Sequence, residues 1–120
     1  MSNQGINVIV VPEKKQFIQD ATFSHQIYVN SDLGKPNLKG RNAKYIAPFW
    51  LDVKEPGVDR VYYIEQMDLS DDKTCWIVTL GNSFVLPSIW SKMGSHRKFE
   101  YHDLIDFGFV EIKEGLLLLV

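Results

Sequence analysis

The sequence predicts a single mostly-β domain of the α+β class, built as a small curled antiparallel sheet or small barrel with one to three short helices. The chain of 120 residues is long enough for one domain with its own core. About eight short runs rich in β-branched and aromatic residues are separated by turn signals, which is typical of antiparallel β structure. Strand patterns do not alternate with long helical ones, so a parallel doubly wound sheet is not expected.

The first third of the chain predicts two strands, a short helix and a long loop. Residues 5–11 (GINVIVV) form a β-branched strand that is bounded by proline. Residues 12–23 carry a weak apolar face that fits a short helix. Residues 25–30 (HQIYVN) alternate as a strand does. Residues 31–42 hold two glycines, a proline and two asparagines, which predict a long loop.

The middle of the chain predicts the central strands. Residues 43–53 begin as a strand, which Pro48 is expected to end, to bulge or to place at an edge, because proline has no backbone donor. Residues 58–69 and 74–80 are apolar and β-branched and predict two further strands. Residues 81–83 (GNS) are expected to interrupt the second of these before Phe84, Val85 and Leu86 resume it.

The last third predicts a helical turn and three strands. Residues 87–93 (PSIWSKM) fit one helical turn, and residues 97–101 (RKFEY) alternate as a half-buried strand would. Residues 102–107 fit a loop or one turn of helix. Residues 108–112 and 116–120 flank a short glycine-containing turn and predict a closing hairpin. The run 116–120 (LLLLV) is apolar on both faces, so it must be covered on both sides or associate with another chain.

Basic residues concentrate in two windows of a slightly acidic chain. Residues 33–51 carry four basic residues and no acidic one, and residues 88–99 carry three and no acidic one. The remainder holds 6 basic and 15 acidic residues, a balance of −9 (6 − 15). Such a separation can direct one face toward an anion while the rest keeps the protein in solution. The alternative is that both windows are solvated loops.

Aromatic side chains beside these windows complete a predicted nucleic-acid or nucleotide site. Cations neutralise phosphates and aromatic faces stack on bases, so the combination is typical of such sites. Most aromatic residues are expected in the core. Four aromatic residues that adjoin basic residues or prolines are expected at the surface, where they could stack on a base. They are Tyr45, Phe49, Trp50 and Trp90. The predicted binding residues are Lys35, Lys39, Arg41, Lys44, Tyr45, Phe49, Trp50, Trp90, Lys92, His96, Arg97 and Lys98.

The sequence lacks some of the residues that other kinds of binding or catalytic site require. GxxxxGK[ST] and GxGxxG motifs are absent, so P-loop hydrolysis and Rossmann binding are not expected. The single cysteine, Cys75, excludes an internal disulfide and a cysteine-rich metal site, and no cofactor or metal is expected. Asp52 and Lys54 match the end of a nuclease motif without a partner acid. His96 and His102 keep a small histidine-dependent hydrolase or nuclease open as an alternative, so enzymatic activity is undecided.

The order of the central strands resembles the PUA-like superfamily, which includes the ASCH and EVE domains. The residues that carry the resemblance are 43–47 (AKYIA), 61–65 (VYYIE), 77–81 (ending in Leu80-Gly81), 84–87 (FVLP) and 97–101 (RKFEY), within residues 43–112. The resemblance implies a small PUA-like barrel with flanking helices and binding of RNA or of a modified nucleotide in a cleft beside it. It assigns no catalytic residue to this chain.

These observations predict a non-catalytic module that binds RNA, DNA or a modified nucleotide. The alternative is a protein-interaction or self-association module in which residues 116–120 pair with a partner or with a second copy. The N-terminus does not resemble a secretory signal, and no apolar run approaches the roughly 20 residues of a membrane span. A cytoplasmic protein without membrane contact is therefore predicted.

Overall fold

A computed structural model describes residues 8–13, 24–28, 43–69, 71, 75–92, 94 and 100–120. Strands dominate this part of the chain, which confirms the predicted mostly-β class. The elements are β1 (Val8–Glu13), β2 (Ser24–Tyr28), β3 (Tyr45–Trp50), β4 (Val58–Leu69), β5 (Cys75–Trp90), β6 (Glu100–His102), a 3-10 helix (Leu104–Phe107), β7 (Phe109–Lys113) and β8 (Leu116–Leu119). The predicted loop at 31–42 lies outside the described residues, as does the predicted helix at 12–23 apart from the end of β1.

Six strands form one sheet in the order β2-β5-β4-β3-β1-β6, and β7 pairs with β8 in a separate two-stranded sheet. The larger sheet is mixed, because β1 and β3 run parallel while the other neighbours are antiparallel. This corrects the expectation of a purely antiparallel sheet. Residues 14–44 separate β1 from β3, which is ample for the crossover that a parallel pair requires. Within the described residues the sheet is open, since β2 and β6 each have one neighbour.

Strand β5 is continuous through the glycine-containing segment that was expected to interrupt it. Tyr62 pairs with Ser83 and Ile64 with Leu80, so β5 holds one more residue than β4 between these pairs. This β-bulge moves alternate side chains to the other face of the sheet, because strand side chains have a period of two. The expectation of a break at 81–83 is therefore wrong. The helical turn expected at 87–93 is wrong too, because β5 runs to Trp90, which pairs with Val58.

Two hydrophobic clusters lie on opposite faces of the sheet. Alternate residues of β1 and β3 divide between them, with Val8 and Tyr45 in the first cluster and Ile9 and Ile46 in the second. The bulge in β5 has the corresponding effect, since Leu80 belongs to the second cluster and Leu86 to the first. The first cluster also contains Leu104, Phe107, Phe109 and Leu117, so the 3-10 helix and the β7–β8 hairpin cover that face of the sheet.

The β7–β8 hairpin confirms the predicted closing hairpin. Its turn consists of Glu114 and Gly115, and Gly115 has a positive φ of 85° that an L-residue rarely adopts. Phe109 and Leu117 point toward the sheet and are buried. Among the described residues, no helix has the length and apolar character that crossing a membrane would need.

Candidate functional site

The structure describes two of the seven predicted basic contact residues, Lys44 and Lys92, and both side chains are exposed. The carbonyl of Lys44 accepts a hydrogen bond from the amide of Ile64, whereas Lys92 follows Trp90, which pairs with Val58. Six residues of β4 separate these two positions (64 − 58), which corresponds to roughly 20 Å along a strand. The two lysines are therefore not brought together. Lys35, Lys39, Arg41, Arg97 and Lys98 lie outside the described residues, as does His96.

The four aromatic residues that were expected at the surface belong to the core. Tyr45, Phe49 and Trp50 are at most 2% exposed, and Trp90 is 8% exposed. Phe49 and Trp90 pack edge to face at 6.5 Å between ring centroids. These rings have no open face on which a base could stack, which corrects that expectation. All six residues of β3 are buried, because hydrophobic clusters cover both faces of this strand, and Trp90 of β5 packs into the first of these clusters.

The polar atoms of two of these rings bond within the protein. Trp50 Nε1 donates to Asp59 Oδ1 at 2.9 Å. The Tyr45 hydroxyl donates to Glu111 Oε2 at 2.7 Å and accepts from the amide of Gly115 at 2.9 Å. A buried hydroxyl is stabilising only when it is bonded in this way. Tyr45 therefore ties β7 and the hairpin turn to the sheet.

Tyr63 makes a second link between the sheet and the hairpin turn. Its hydroxyl donates to Glu114 Oε2 at 2.9 Å, and its ring packs edge to face with Tyr45 at 5.6 Å between centroids. Gly115 lies against the same ring, since a side chain there would contact it at 3.6 Å. The two tyrosines hold the inner face of the hairpin in one orientation, which determines which face of the hairpin remains open to solvent.

The open face of the hairpin is apolar. Val110 pairs with Leu118, so these side chains point to the side opposite Phe109 and Leu117. Leu118 is 56% exposed and Val120 is 79% exposed. We call this surface the outer hairpin face. Its large apolar side chains, all exposed, are Val110, Ile112, Leu116, Leu118 and Val120. Residues 116–120 were expected to need covering on both sides. The structure covers one side only, where Leu117 is buried.

Sequence reasoning identified residues 116–120 but missed Val110 and Ile112 as part of the same surface. The signal was present, because residues 108–112 (GFVEI) place Val110 and Ile112 on one face of a strand opposite Phe109. What was missing was the register that places Val110 across from Leu118.

His102, one of the two histidines in the hydrolase alternative, is held by carboxylates on both sides. Its Nε2 lies 3.0 Å from Glu100 Oε1, and its Nδ1 lies 3.4 Å from Asp106 Oδ2. The ring also packs against Trp90 at 4.9 Å between centroids. Both ring nitrogens face protein oxygens, so this arrangement anchors the 3-10 helix to β6. Across the described stretches, no group of three or more His, Cys, Asp or Glu side chains is arranged to hold a metal ion.

The Tyr45 link predicts an alkaline limit to stability. Burial, then the hydrogen bond to Glu111, raise the pKa of Tyr45 well above its ordinary value near 10. The folded state therefore keeps a proton that the unfolded chain loses above pH 10, and the free energy of unfolding falls as pH rises from there. The expected slope for one such tyrosine is at most about 1.4 kcal/mol per pH unit. Burial also raises the pKa of Tyr62 and of Tyr101, which adds to the slope.

Urea denaturation at pH values from neutral to strongly alkaline measures this slope. Tyr45→Phe should remove the contribution of Tyr45 to this slope. The free energy of unfolding of the variant should therefore fall less steeply above pH 10 than that of the wild type. Tyr63→Phe is the matched control. Its hydrogen bond to Glu114 also raises the pKa of Tyr63, but this bond is exposed to solvent, so its removal should flatten the curve less. Equal slopes in the wild type and in Tyr45→Phe would contradict the assignment.

Comparison with protein-family models, with curated proteins and with solved structures finds no match to this chain. The resemblance to the PUA-like superfamily and the binding of nucleic acid or of a modified nucleotide accordingly stay predictions from the sequence.

Proposed function

We propose that this protein is a self-association module, in which the outer hairpin face packs against the same face of a second copy. The observation that carries the proposal is the exposure of five large apolar side chains on one face of a two-stranded sheet that is anchored rigidly on its other face. Apolar surface in contact with water is a driving force for association.

The size of the surface supports a second copy as its occupant. Five large side chains, each about half exposed, form a patch on the order of 500 Å², at the upper end of what monomeric proteins leave open. This is more than half of the ~800 Å² that each partner contributes to a standard interface. Contacts of the surrounding backbone and polar side chains supply the remainder.

The chemistry of the surface also supports self-pairing. The outer hairpin face is aliphatic apart from Lys113, which pairs with Leu116 at its turn end, so the rest of the face is complementary to itself and needs no partner with matched charges. Two sheets pack face to face at a spacing of about 10 Å through such side chains. A two-fold arrangement of this kind closes with two copies and leaves no unpaired apolar face for further growth.

Leu118→Glu tests the proposal by placing a charge at the centre of the outer hairpin face. In a two-fold dimer each carboxylate would meet apolar side chains and its own symmetry mate, so the dimer dissociation constant should rise at least 100-fold. Sedimentation velocity over a range of protein concentrations should show the wild type approaching twice 13.8 kDa and Leu118→Glu remaining at 13.8 kDa.

Val85→Glu is the matched control. Val85 is exposed like Leu118 but lies on β5, and its neighbour Phe84 is the residue that packs toward Phe109 of the hairpin. Val85 therefore points to the opposite face of the sheet, and Val85→Glu should dimerise as the wild type does. A wild type that stays at 13.8 kDa at high concentration, or a Leu118→Glu variant that dimerises unchanged, would refute the proposal.

A further inference from the structure

Strand β8 has one open edge, because its single neighbour among the described strands is β7. The amide of Val120 donates a hydrogen bond to the carbonyl of Gly108 at 2.9 Å. In this antiparallel ladder the adjoining pair, Phe109 with Leu119, is therefore a non-hydrogen-bonded one. Such pairs recur at every second residue, so Leu117 lies in the next one. The N–H and C=O groups of Leu117 and Leu119 consequently point away from β7.

This edge lacks the features that normally keep a strand from pairing with another chain. In the described part of the protein, no backbone group outside β8 bonds to its outward-facing edge. Exposed edges are usually blocked by charged side chains, by proline or by a bulge. Accordingly, β6 carries Glu100 and His102, and β7 carries Glu111 and Lys113. Residues 116–120 (LLLLV) contain neither a charge nor a proline, and the extra residue of the hairpin bulge lies in β7.

The side chain of Leu119 shows that the apolar surface continues past this edge. Leu119 points to the same side of the hairpin as Leu117, because strand side chains alternate. Leu117 is covered by the sheet and is 7% exposed, whereas Leu119 is 50% exposed. Leu119 does not belong to the outer hairpin face, so packing of that face would leave it open. A strand added beside β8 would cover it.

A second copy of β8 fits this edge. When two β8 strands run antiparallel about a two-fold axis at Leu118, Leu117 of each copy meets Leu119 of the other. These are the residues whose backbone groups point outward, so each pair exchanges both of its N–H···O hydrogen bonds. Each Leu118 faces its own symmetry mate between them, and every facing pair is apolar. Apolar cross-strand pairs stabilise an antiparallel sheet.

We propose that β8 pairs along its open edge with β8 of a second copy, which joins the two hairpins into one continuous sheet. This contact goes beyond the proposed packing of the outer hairpin face, because its hydrogen bonds lie in the plane of the sheet. Each copy then has two self-complementary contacts, so pairs formed through the outer hairpin face associate further through β8. The edge contact is the weaker one, since it buries only a narrow strip, and we expect a Kd of about 0.1 mM.

Amide hydrogen exchange of 15N-labelled protein at two concentrations tests the proposal. Packing of the outer hairpin face gives the amides of Leu117 and Leu119 no acceptor, whereas edge pairing bonds both. Their exchange should slow by about threefold or more between ~20 μM and ~1 mM protein, as a Kd of about 0.1 mM requires. The amide of Glu111, which points outward from the other edge of the hairpin, is the internal control and should exchange equally fast at both concentrations.

Leu119→Pro blocks the edge and leaves the ladder with β7 intact. Proline lacks the N–H that points outward at this position, while the hydrogen bond from Val120 to Gly108 remains. In this variant the amide of Leu117 should exchange at the same rate at both concentrations, and association through the outer hairpin face should be unchanged. Leu119→Val keeps the amide and an apolar side chain, so this matched control should behave as the wild type does.

Val110→Glu distinguishes this contact from the proposed function. Val110 lies on β7, so a charge there opposes packing of the outer hairpin face and leaves the edge of β8 intact. Leu118→Glu cannot serve, because Leu118 faces its symmetry mate in both contacts. Val110→Glu should retain the slower exchange of Leu117 and Leu119 at ~1 mM protein.

Two results would overturn the edge contact. One is exchange of Leu117 and Leu119 that does not change with concentration in the wild type and in Val110→Glu. If the wild type nevertheless dimerises in sedimentation, packing of the outer hairpin face stands without the edge contact. The other is a Leu119→Pro variant in which the Leu117 amide slows with concentration as it does in the wild type.

Discussion

Gly57→Ala is expected to destabilise the protein by about 2–4 kcal/mol, since it combines backbone strain with overlap in a packed region. Gly57 has a φ of 155° and exchanges two backbone hydrogen bonds with Trp50. A Cβ atom there would lie 2.4 Å from Ile89 Cγ2 and 2.7 Å from the Trp90 carbonyl oxygen. The side chain of Ile89 and the backbone of β5 would both have to move.

Gly108→Ala separates strain from overlap in the same urea denaturation experiment. Gly108 also has a positive φ, 91°, but a Cβ atom there would meet nothing within 4 Å. Gly108→Ala should therefore lose only about 1–2 kcal/mol, the cost of a left-handed L-residue. If Gly57→Ala lowers the free energy of unfolding no more than Gly108→Ala does, β5 does not lie as close to Gly57 as described.

Tyr45→Phe is expected to lower the free energy of unfolding and Tyr101→Phe is not, although each removes one hydroxyl. The Tyr45 hydroxyl bonds to Glu111 and to the Gly115 amide, so its loss should cost about 1–3 kcal/mol. The Tyr101 hydroxyl is buried and has no hydrogen-bond partner among the described residues. Its removal should leave stability unchanged or raise it by about 1 kcal/mol, because a desolvated group without a bond is unfavourable.

Chemical denaturation of both variants at neutral pH measures these changes. A loss of similar size in the two variants would mean that the Tyr101 hydroxyl is bonded after all, or that the Tyr45 bonds contribute nothing. The result also bears on self-association, because Tyr45 holds the hairpin against the sheet. If Tyr45→Phe loosens the hairpin, its dimer should dissociate at lower urea than the wild type does.

The hairpin and the 3-10 helix are both anchored in the first hydrophobic cluster. Phe107 at the end of the 3-10 helix and Phe109 at the start of β7 both belong to this cluster. Gly108 lies between them, and its carbonyl accepts a hydrogen bond from the amide of Val120 at 2.9 Å. The segment about Gly108 therefore connects the 3-10 helix to both strands of the hairpin, which together cover one face of the sheet.

Local sequence determined where most of the strands lie. The strand at 58–69 and the hairpin about Gly115 follow from β-branched content, alternation and turn residues, all of which act over a few neighbouring residues. The 3-10 helix at 104–107 agrees with one of the two forms, a loop or one turn of helix, that the sequence predicts for residues 102–107.

Tertiary structure alone decided the pairing of the strands and the burial of the side chains. The parallel pair of β1 and β3 joins residues far apart in the chain, and nothing in either strand specifies its neighbour. Trp50 and Tyr45 adjoin basic residues and prolines in sequence, yet they are buried because a hydrophobic cluster covers each face of β3. Leu118 is as apolar as Leu117 and is exposed because no described element covers its side of the hairpin. Composition determines which side chains favour burial, whereas only the packing of distant segments determines which of them are covered.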